Sequence, residues 1–255
     1  MANVADKKLT PDALSATSTE DLKKMILALT KGRDGEKSAK KAKLLKQQLM
    51  PLFDALSDRN PTASLEDEIP LVQGVWKSVW STIPFQDIVP GRSLDQSYQV
   101  FADNGYYANL ARYQFSQKIP FLRWFAKELL NYDLMIIQSY SISDAVEGAQ
   151  AWDIENVSIR QRFRLRATSF NAPAAKAWFD RAIADHLAKS SDPKKSSEPD
   201  IPTAGIDRST AKRYEGVYKA KPKLEHLYID RDFRLVKSSR EEKQRPSYTI
   251  ATRLI

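Results

Sequence analysis

The chain has 255 residues, of which 42% are hydrophobic and 28% charged, as in an ordinary folded domain. It contains no cysteine, which excludes disulfides, thiolate metal sites and cysteine nucleophiles, and its two histidines, His186 and His226, leave little for zinc binding or histidine acid–base chemistry. No run of about 18 apolar residues is present to span a bilayer. The net charge of +8 favours contact with an anionic membrane, a nucleic acid or an acidic protein, without choosing among them.

The N-terminal part of the chain predicts helices. Residues 1–17 are polar and without periodicity, and we expect them to be disordered, neither a secretory signal nor an Arg-rich transit peptide. A helical section is predicted over 18–59, with a capping box at Thr17 or Ser18 and a second helix over about 36–56 that Pro51 kinks or divides. Residues 31–46 hold seven Lys or Arg against two acids, which fits a solvated helix face or a membrane-facing one.

From residue 70 onward the hydrophobic period changes to that of strands. The Asn104-Gly105 pair predicts a tight hairpin, and helices are expected at 120–130 and 173–187. A Ser-, Pro- and Lys-rich insert at about 189–205 is expected to be flexible. The predicted fold is mainly β with some α: an antiparallel β-barrel over 60–255 with one or two inserted helices. Its strands are expected at 72–82, 96–102, 106–115, 133–141, 156–167, 223–229, 233–237 and 248–254.

Alternation along these strands singles out two sets of candidate residues. One set is expected to face the interior, where its members either contact an apolar ligand or simply fill the core: Trp76, Trp80, Phe163 and Leu165. The other is an arginine ladder on the opposite face of the fifth strand, which fits either anionic lipid or cross-strand acidic partners: Arg160, Arg162, Arg164 and Arg166. An aromatic patch at Phe121, Trp124 and Phe125 predicts an interfacial helix or a lid over the barrel.

Two motifs in the correct order resemble those of the fibrillin, or plastid lipid-associated protein, family. The first is Asn60-Pro61-Thr62, followed after an acidic spacer by Leu71-Val72-Gln73-Gly74-Val75-Trp76 and, further on, Trp80-Ser81-Thr82, with Trp80 where the family usually has tyrosine. The second is Tyr228-Ile229-Asp230-Arg231-Asp232-Phe233-Arg234-Leu235, which resembles the closing hairpin of the family. A longer polar loop, 238–246, stands where the family has an Arg-Gly turn. The resemblance covers about residues 20–255.

The resemblance implies a lipocalin-like barrel that binds apolar lipids or isoprenoids, such as a carotenoid or a prenylquinone, without catalysis, metal or cofactor. It implies a structural or photoprotective role at thylakoid or plastoglobule membranes, in a cyanobacterium or, for a mature form, in a plastid. Tyr228, Asp230, Asp232 and Arg234 become candidate contacts for the polar head of a ligand, although Asp232 and Arg234 also fit a structural salt bridge.

Three other functions are alternatives or additions to lipid binding. A bilin lyase-like enzyme on a similar barrel is disfavoured by the sparse catalytic chemistry. A nucleic-acid binder is not expected, because no aromatic stacking platform is interleaved with the arginines. A scaffold that binds an enzyme of isoprenoid or quinone synthesis remains compatible with lipid binding, since one barrel can serve both purposes.

Overall fold

Eight antiparallel strands follow one another around a closed ring, in which β1 pairs with both β2 and β8. The computed structural model describes residues 10–83, 92–115, 130–142, 151–165, 170–190, 221–239 and 245–255. The strands are β1 (Gly74–Ser81), β2 (Arg92–Phe101), β3 (Tyr106–Phe115), β4 (Leu130–Ile142), β5 (Trp152–Leu165), β6 (Lys223–Ile229), β7 (Phe233–Ser239) and β8 (Ser247–Arg253). A mainly β fold with eight antiparallel strands is therefore confirmed.

Helices precede the sheet and interrupt it once among the described residues. They are α1 (Pro11–Ser15), α2 (Thr19–Thr30), α3 (Ser38–Leu44), a π-helical turn (Leu45–Leu49), α4 (Met50–Ser57), α5 (Leu65–Val72) and α6 (Ala172–Ser190). The helices predicted near 18–59 and at 173–187 are confirmed. Disorder over 1–17 is wrong at its C-terminal end, because Thr10 caps the short helix α1. Helix α5 is an addition, capped by a Ser64–Asp67 capping box. The flexible insert predicted at about 189–205 is helical at its first two residues, which end α6, and the predicted helix at 120–130 ends on a residue of β4, Leu130. The rest of both predictions lies outside the described residues.

A β-bulge in β1 reverses the orientation of one of the two tryptophans. The register with β8 shifts between Ser78 and Trp80, so that Trp76 and Trp80 no longer share a face. Trp76 faces the interior, whereas Trp80 faces outward beside Ile250 and packs among the N-terminal helices. The prediction that Trp80 lines the interior is therefore wrong, because strict alternation fails at the inserted residue.

Two helical layers cover the outer face of the ring. The N-terminal helices pack through Leu22, Phe53 and Leu56 on Trp80 and Ile250. Elsewhere on the outer face, α6 packs on strands β1 to β4 through a stripe of apolar side chains: Ala175, Phe179, Ala182 and Ile183. A large apolar side chain that becomes fully buried contributes about 1.5–3 kcal/mol, so these layers hold the helices to the sheet. None of the helices that the structure describes combines the length and the apolar character that a membrane span requires.

One end of the ring is closed by α5 and the C-terminus. Gly74 lies at φ +108°, and a Cβ there would stand 2.3 Å from the Ile255 carbonyl oxygen, so only glycine fits. The Arg253 guanidinium lies 4.3 Å from the centre of the Trp76 ring and donates to the carbonyls of Leu71 and Gln73 at the end of α5. This end therefore forms a floor, and the elements that build it position the interior site.

Candidate functional site inside the ring

A cavity of about 200 Å³ lies inside the closed sheet. All eight strands contribute side chains to its wall. The cavity extends from Tyr107 and Val236 near the floor to Tyr113 and Leu134 near the other end. For comparison, an engineered apolar cavity of about 150 Å³ holds one benzene molecule. The interior therefore has room for a group about the size of a single substituted ring.

Four side-chain amides form a hydrogen-bonded belt across one wall of the cavity. Gln99 Nε2 donates to Asn109 Oδ1 at 2.9 Å, and Asn109 Nδ2 donates to Gln138 Oε1 at 2.7 Å. Gln138 Nε2 then donates to Asn156 Oδ1, also at 2.7 Å. The four amides come from β2, β3, β4 and β5 in turn, because their positions face the interior in the strand register. Every amide carries two N–H donors, so the belt retains hydrogen-bonding capacity beyond its own three bonds.

The rest of the wall mixes hydroxyl and aliphatic groups. Ser81 Oγ and Thr249 Oγ1 lie 2.8 Å apart on the side formed by β1 and β8, and Ser97 lies opposite Ala111 across β2 and β3. Leu134, Ile136, Leu224 and Val236 supply the apolar part. An interior of this kind suits a mainly apolar group that carries a few hydrogen-bonding atoms.

Beneath the cavity, a buried arginine lies between two aromatic rings. The Arg234 guanidinium is 5.1 Å from the centre of the Trp76 ring and 4.6 Å from that of Phe101, which in turn stacks on Tyr107. Its three nitrogens are buried and hydrogen-bond to no described residue. Burial lowers the pKa of Arg234 from 12.5 to about 9, so the group remains charged at neutral pH. Cation–π contact with both rings and the charge of nearby acidic groups, Glu68 among them, offset part of the cost of that burial.

A buried Glu68–His226 pair lies next to this arginine. Glu68, from α5, approaches His226 Nδ1 to 2.6 Å with its Oε2 atom, and the His226 ring meets Trp152 edge to face at 5.1 Å. Burial lowers the pKa of His226 below its usual 6.5, against the opposing effect of the Glu68 hydrogen bond. The imidazole is therefore neutral at pH 7, next to the Arg234 cation.

Three of the four candidate residues in the closing motif meet at the β6–β7 turn, away from the interior cavity. Asp230 accepts hydrogen bonds from Tyr228, from Lys23 of α2 and from the backbone N–H groups of Asp232 and Phe233. It thereby closes the β6–β7 turn and holds α2 to the sheet. Tyr228 packs with the outer helices, and Asp232 is exposed. None of the three lines the interior cavity and their described contacts are structural, so contact with a ligand stays a prediction.

Arg234, the fourth residue of that motif, does face the interior, but its guanidinium lies under the cavity floor. The predicted salt bridge to Asp232 does not form, since Arg234 has no hydrogen-bonding partner among the residues described. Trp76 lies beside it in the floor. The backbone of Phe163 and Leu165 pairs with Tyr132 and Leu130 of β4, while the side chains of this pair lie outside the described part of the chain.

Within the arginine ladder, Arg162 has structural partners. Asp133, fully buried, accepts bonds from Arg112 Nε at 2.6 Å and from Arg162 Nε at 3.1 Å. The Arg162 guanidinium also lies 3.9 Å from the centre of the Trp178 ring of α6. Arg162 therefore helps to hold α6 on the sheet and does not present a free cation to a membrane. Arg160 is half-buried.

The remaining candidates for membrane contact fall outside the described part of the chain. They are the side chain of Arg164 and the whole of Arg166, Phe121, Trp124 and Phe125. The amide belt, by contrast, was not expected from the sequence. The signal that could have found it is the recurrence of Gln and Asn at interior positions of otherwise apolar strands, as in Tyr98-Gln99-Val100 and Ile137-Gln138.

Comparison of the chain with protein-family models, with curated proteins and with solved structures finds no match. In the described part of the chain, no group of three or more His, Asp or Glu side chains is placed to hold a metal ion. Function is accordingly inferred from the cavity and the surface of this chain.

Proposed function

We propose that this chain is a lipocalin-like, non-enzymatic binding protein for an apolar lipid or isoprenoid, whose ring-sized polar head occupies the interior cavity. The proposal follows the resemblance to the fibrillin family, which implies a role at thylakoid or plastoglobule membranes. The observation that carries it is the cavity of about 200 Å³ with its belt of four amides.

Among isoprenoids, the lining favours a prenylquinone over a carotenoid hydrocarbon. A quinone ring carries two carbonyl acceptors, which the N–H groups of Asn109 and Gln138 and the hydroxyl of Ser97 can satisfy. A hydrocarbon in the same place would leave the second N–H of each of these amides unpaired, at a cost of about 1–3 kcal/mol for each buried donor. The cavity holds a single ring, so the prenyl tail would leave through the end of the sheet opposite α5.

The binding test uses a short-tailed plastoquinone analogue, titrated while tryptophan emission is recorded. Trp76 and Trp152 lie in the floor of the ring, so a quinone bound above them should quench their emission in a saturable way. Ala111→Phe places a ring inside the cavity and should weaken binding at least tenfold, about 1.4 kcal/mol. Ala184→Phe, at an exposed position of α6, is the matched control and should bind normally.

A second interior variant keeps the test valid if Ala111→Phe fails to fold. Ser97 lies opposite Ala111, so Ser97→Leu narrows the cavity at the same level with a smaller side chain. Gln138→Met keeps the size of the side chain and removes its amide, and it should weaken the quinone more than a hydrocarbon such as squalene. Unsaturable quenching, or equal binding by the folded Ala111→Phe protein, would refute an interior site.

A further inference from the structure

A second concave site lies outside the ring, between the helical section and the ends of β1 and β8. It is a groove of about 790 Å³, here called the helix groove, within the usual size range of ligand sites. Its apolar lining comes from Leu45 and Met50 on the helical side and from Ile83 and Tyr248 on the sheet side. It meets the interior cavity at Ile83 and Ser238, which line both, but none of the four belt amides lines it, so it is distinct from the amide-lined part of the interior.

The helical wall of the groove owes its shape to Pro51. Proline has no N–H to donate and its ring crowds the carbonyl four residues earlier, so a regular α-helix cannot pass through it undisturbed. The chain responds with the π-helical turn Leu45–Leu49, in which the N–H of Met50 reaches the carbonyl of Leu45. Such turns are rare and occur often at functional sites. Here the turn places Leu45 and Lys46 on the groove.

Charge on the groove is entirely of one sign. Lys43, Lys46 and Arg245 line it, all three are exposed, and no acidic residue is among its described lining residues. None of the three makes an ion pair with any residue that the structure describes. Lys41, which lies between the lining residues Ser38 and Ala42 in the sequence, differs from these three. It is buried, and its Nζ atom is 2.9 Å from the Asp34 carboxylate. The groove thus combines an apolar lining with three uncompensated cations.

We propose that the helix groove binds one molecule of an amphiphile with a single apolar chain and an anionic oxygen head, a phosphate or a carboxylate. The chain would lie along Leu45, Met50 and Tyr248, and the head would be held by Lys43, Lys46 and Arg245. A recessed groove favours a single inserted molecule over the flat surface of a bilayer, because the cations stand around a concavity. Ammonium and guanidinium groups bind such heads through charge-assisted hydrogen bonds.

The probe is dodecyl phosphate below its critical micelle concentration, followed by isothermal titration calorimetry with the full chain. We expect saturable binding, and at least tenfold weaker binding of dodecanol, which lacks the charge, and of inorganic phosphate, which lacks the chain. Lys43→Gln with Lys46→Gln should weaken dodecyl phosphate at least tenfold. Lys24→Gln with Lys77→Gln removes the same charge at exposed positions outside the groove and should leave binding unchanged.

Two further variants separate the groove from other sites. Ala42→Trp fills the groove from its exposed helical side and should abolish binding. Ala111→Phe blocks only the interior cavity. If this variant lost dodecyl phosphate binding, the binding site would be the interior cavity, and the proposal would be overturned. Equal affinity for dodecanol, no effect of the paired lysine variant, or binding only to phosphatidylglycerol vesicles would each overturn it as well.

Discussion

Gly74 should be among the most sensitive single positions in the fold. Replacement by alanine adds a Cβ at φ +108°, where L-residues are strained by about 1–2 kcal/mol. The same Cβ would meet the Ile255 carbonyl oxygen at 2.3 Å, which forces the C-terminal residues away from β1. That movement breaks the hydrogen bonds between Val75 and the backbone of Leu254 and Ile255, each contributing about 0.5–1.5 kcal/mol. With three such bonds, Gly74→Ala should therefore cost about 2.5–6.5 kcal/mol.

Substitutions at two other glycines separate the cost of backbone strain from the cost of the steric clash at Gly74. Gly32 lies at φ +71°, and an alanine Cβ there would have no atom within 4 Å, so Gly32→Ala should cost only the strain, about 1 kcal/mol. Gly35 has neither a positive φ nor a neighbour, and Gly35→Ala should be neutral or slightly stabilising. Urea unfolding followed by circular dichroism gives the three free energies of unfolding. Equal losses at Gly74 and Gly32 would refute the close contact with the C-terminus.

Three further measurements test the polar contacts of the fold. Burial lowers the pKa of His226 below 6.5, so just below that pH the unfolded chain binds more protons than the folded one. The free energy of unfolding should therefore fall on acidification, by at most about 1.4 kcal/mol per pH unit. Thermal melts between pH values of about 7.5 and 5.5 measure this slope, and His226→Asn should lose it. Asp133→Asn removes the buried partner of two arginines and should cost about 3–5 kcal/mol in urea unfolding, whereas a loss below about 1 kcal/mol would contradict the buried ion pair. Lys23→Met breaks the buried contact with Asp230 and should cost about 1–3 kcal/mol, against less than about 0.5 for the exposed Lys24→Met, and equal losses would count against that contact.

The elements of this fold could be predicted where a local rule decides them. Asn104-Gly105 forms the predicted hairpin, with Gly105 at φ +81° and the N–H of Ala102 bonded to the Tyr106 carbonyl. The helix over 173–187 was predicted from its apolar spacing, and Ala182 and Ile183 are buried as expected. Leu187, in contrast, is 43% exposed, although it was predicted to face inward.

The orientation of side chains could be predicted only as far as alternation holds. The bulge in β1 turns Trp80 outward, and nothing in the order of residues marks where an extra residue enters a strand. The partners of Arg162 depend on contacts across β3, β4 and α6, and the ion pair with Asp133 follows from a register that no single strand reveals. The interior site could not be predicted for the same reason, since Gln99 and Gln138 are far apart in the chain and meet through Asn109.

The belt of amides has a consequence for how selective the interior can be. Each amide donates in the same direction around the wall, from Gln99 toward Asn156, which leaves the Gln99 Oε1 atom buried without a partner. Flipping all four amides by half a turn would keep the three bonds of the belt and reverse that direction, exchanging a free acceptor for a free donor at Gln99. A guest that offers either a donor or an acceptor next to Gln99 can therefore find a partner there. The belt thus distinguishes a polar guest from a hydrocarbon, but it does not by itself require that the guest donate or that it accept.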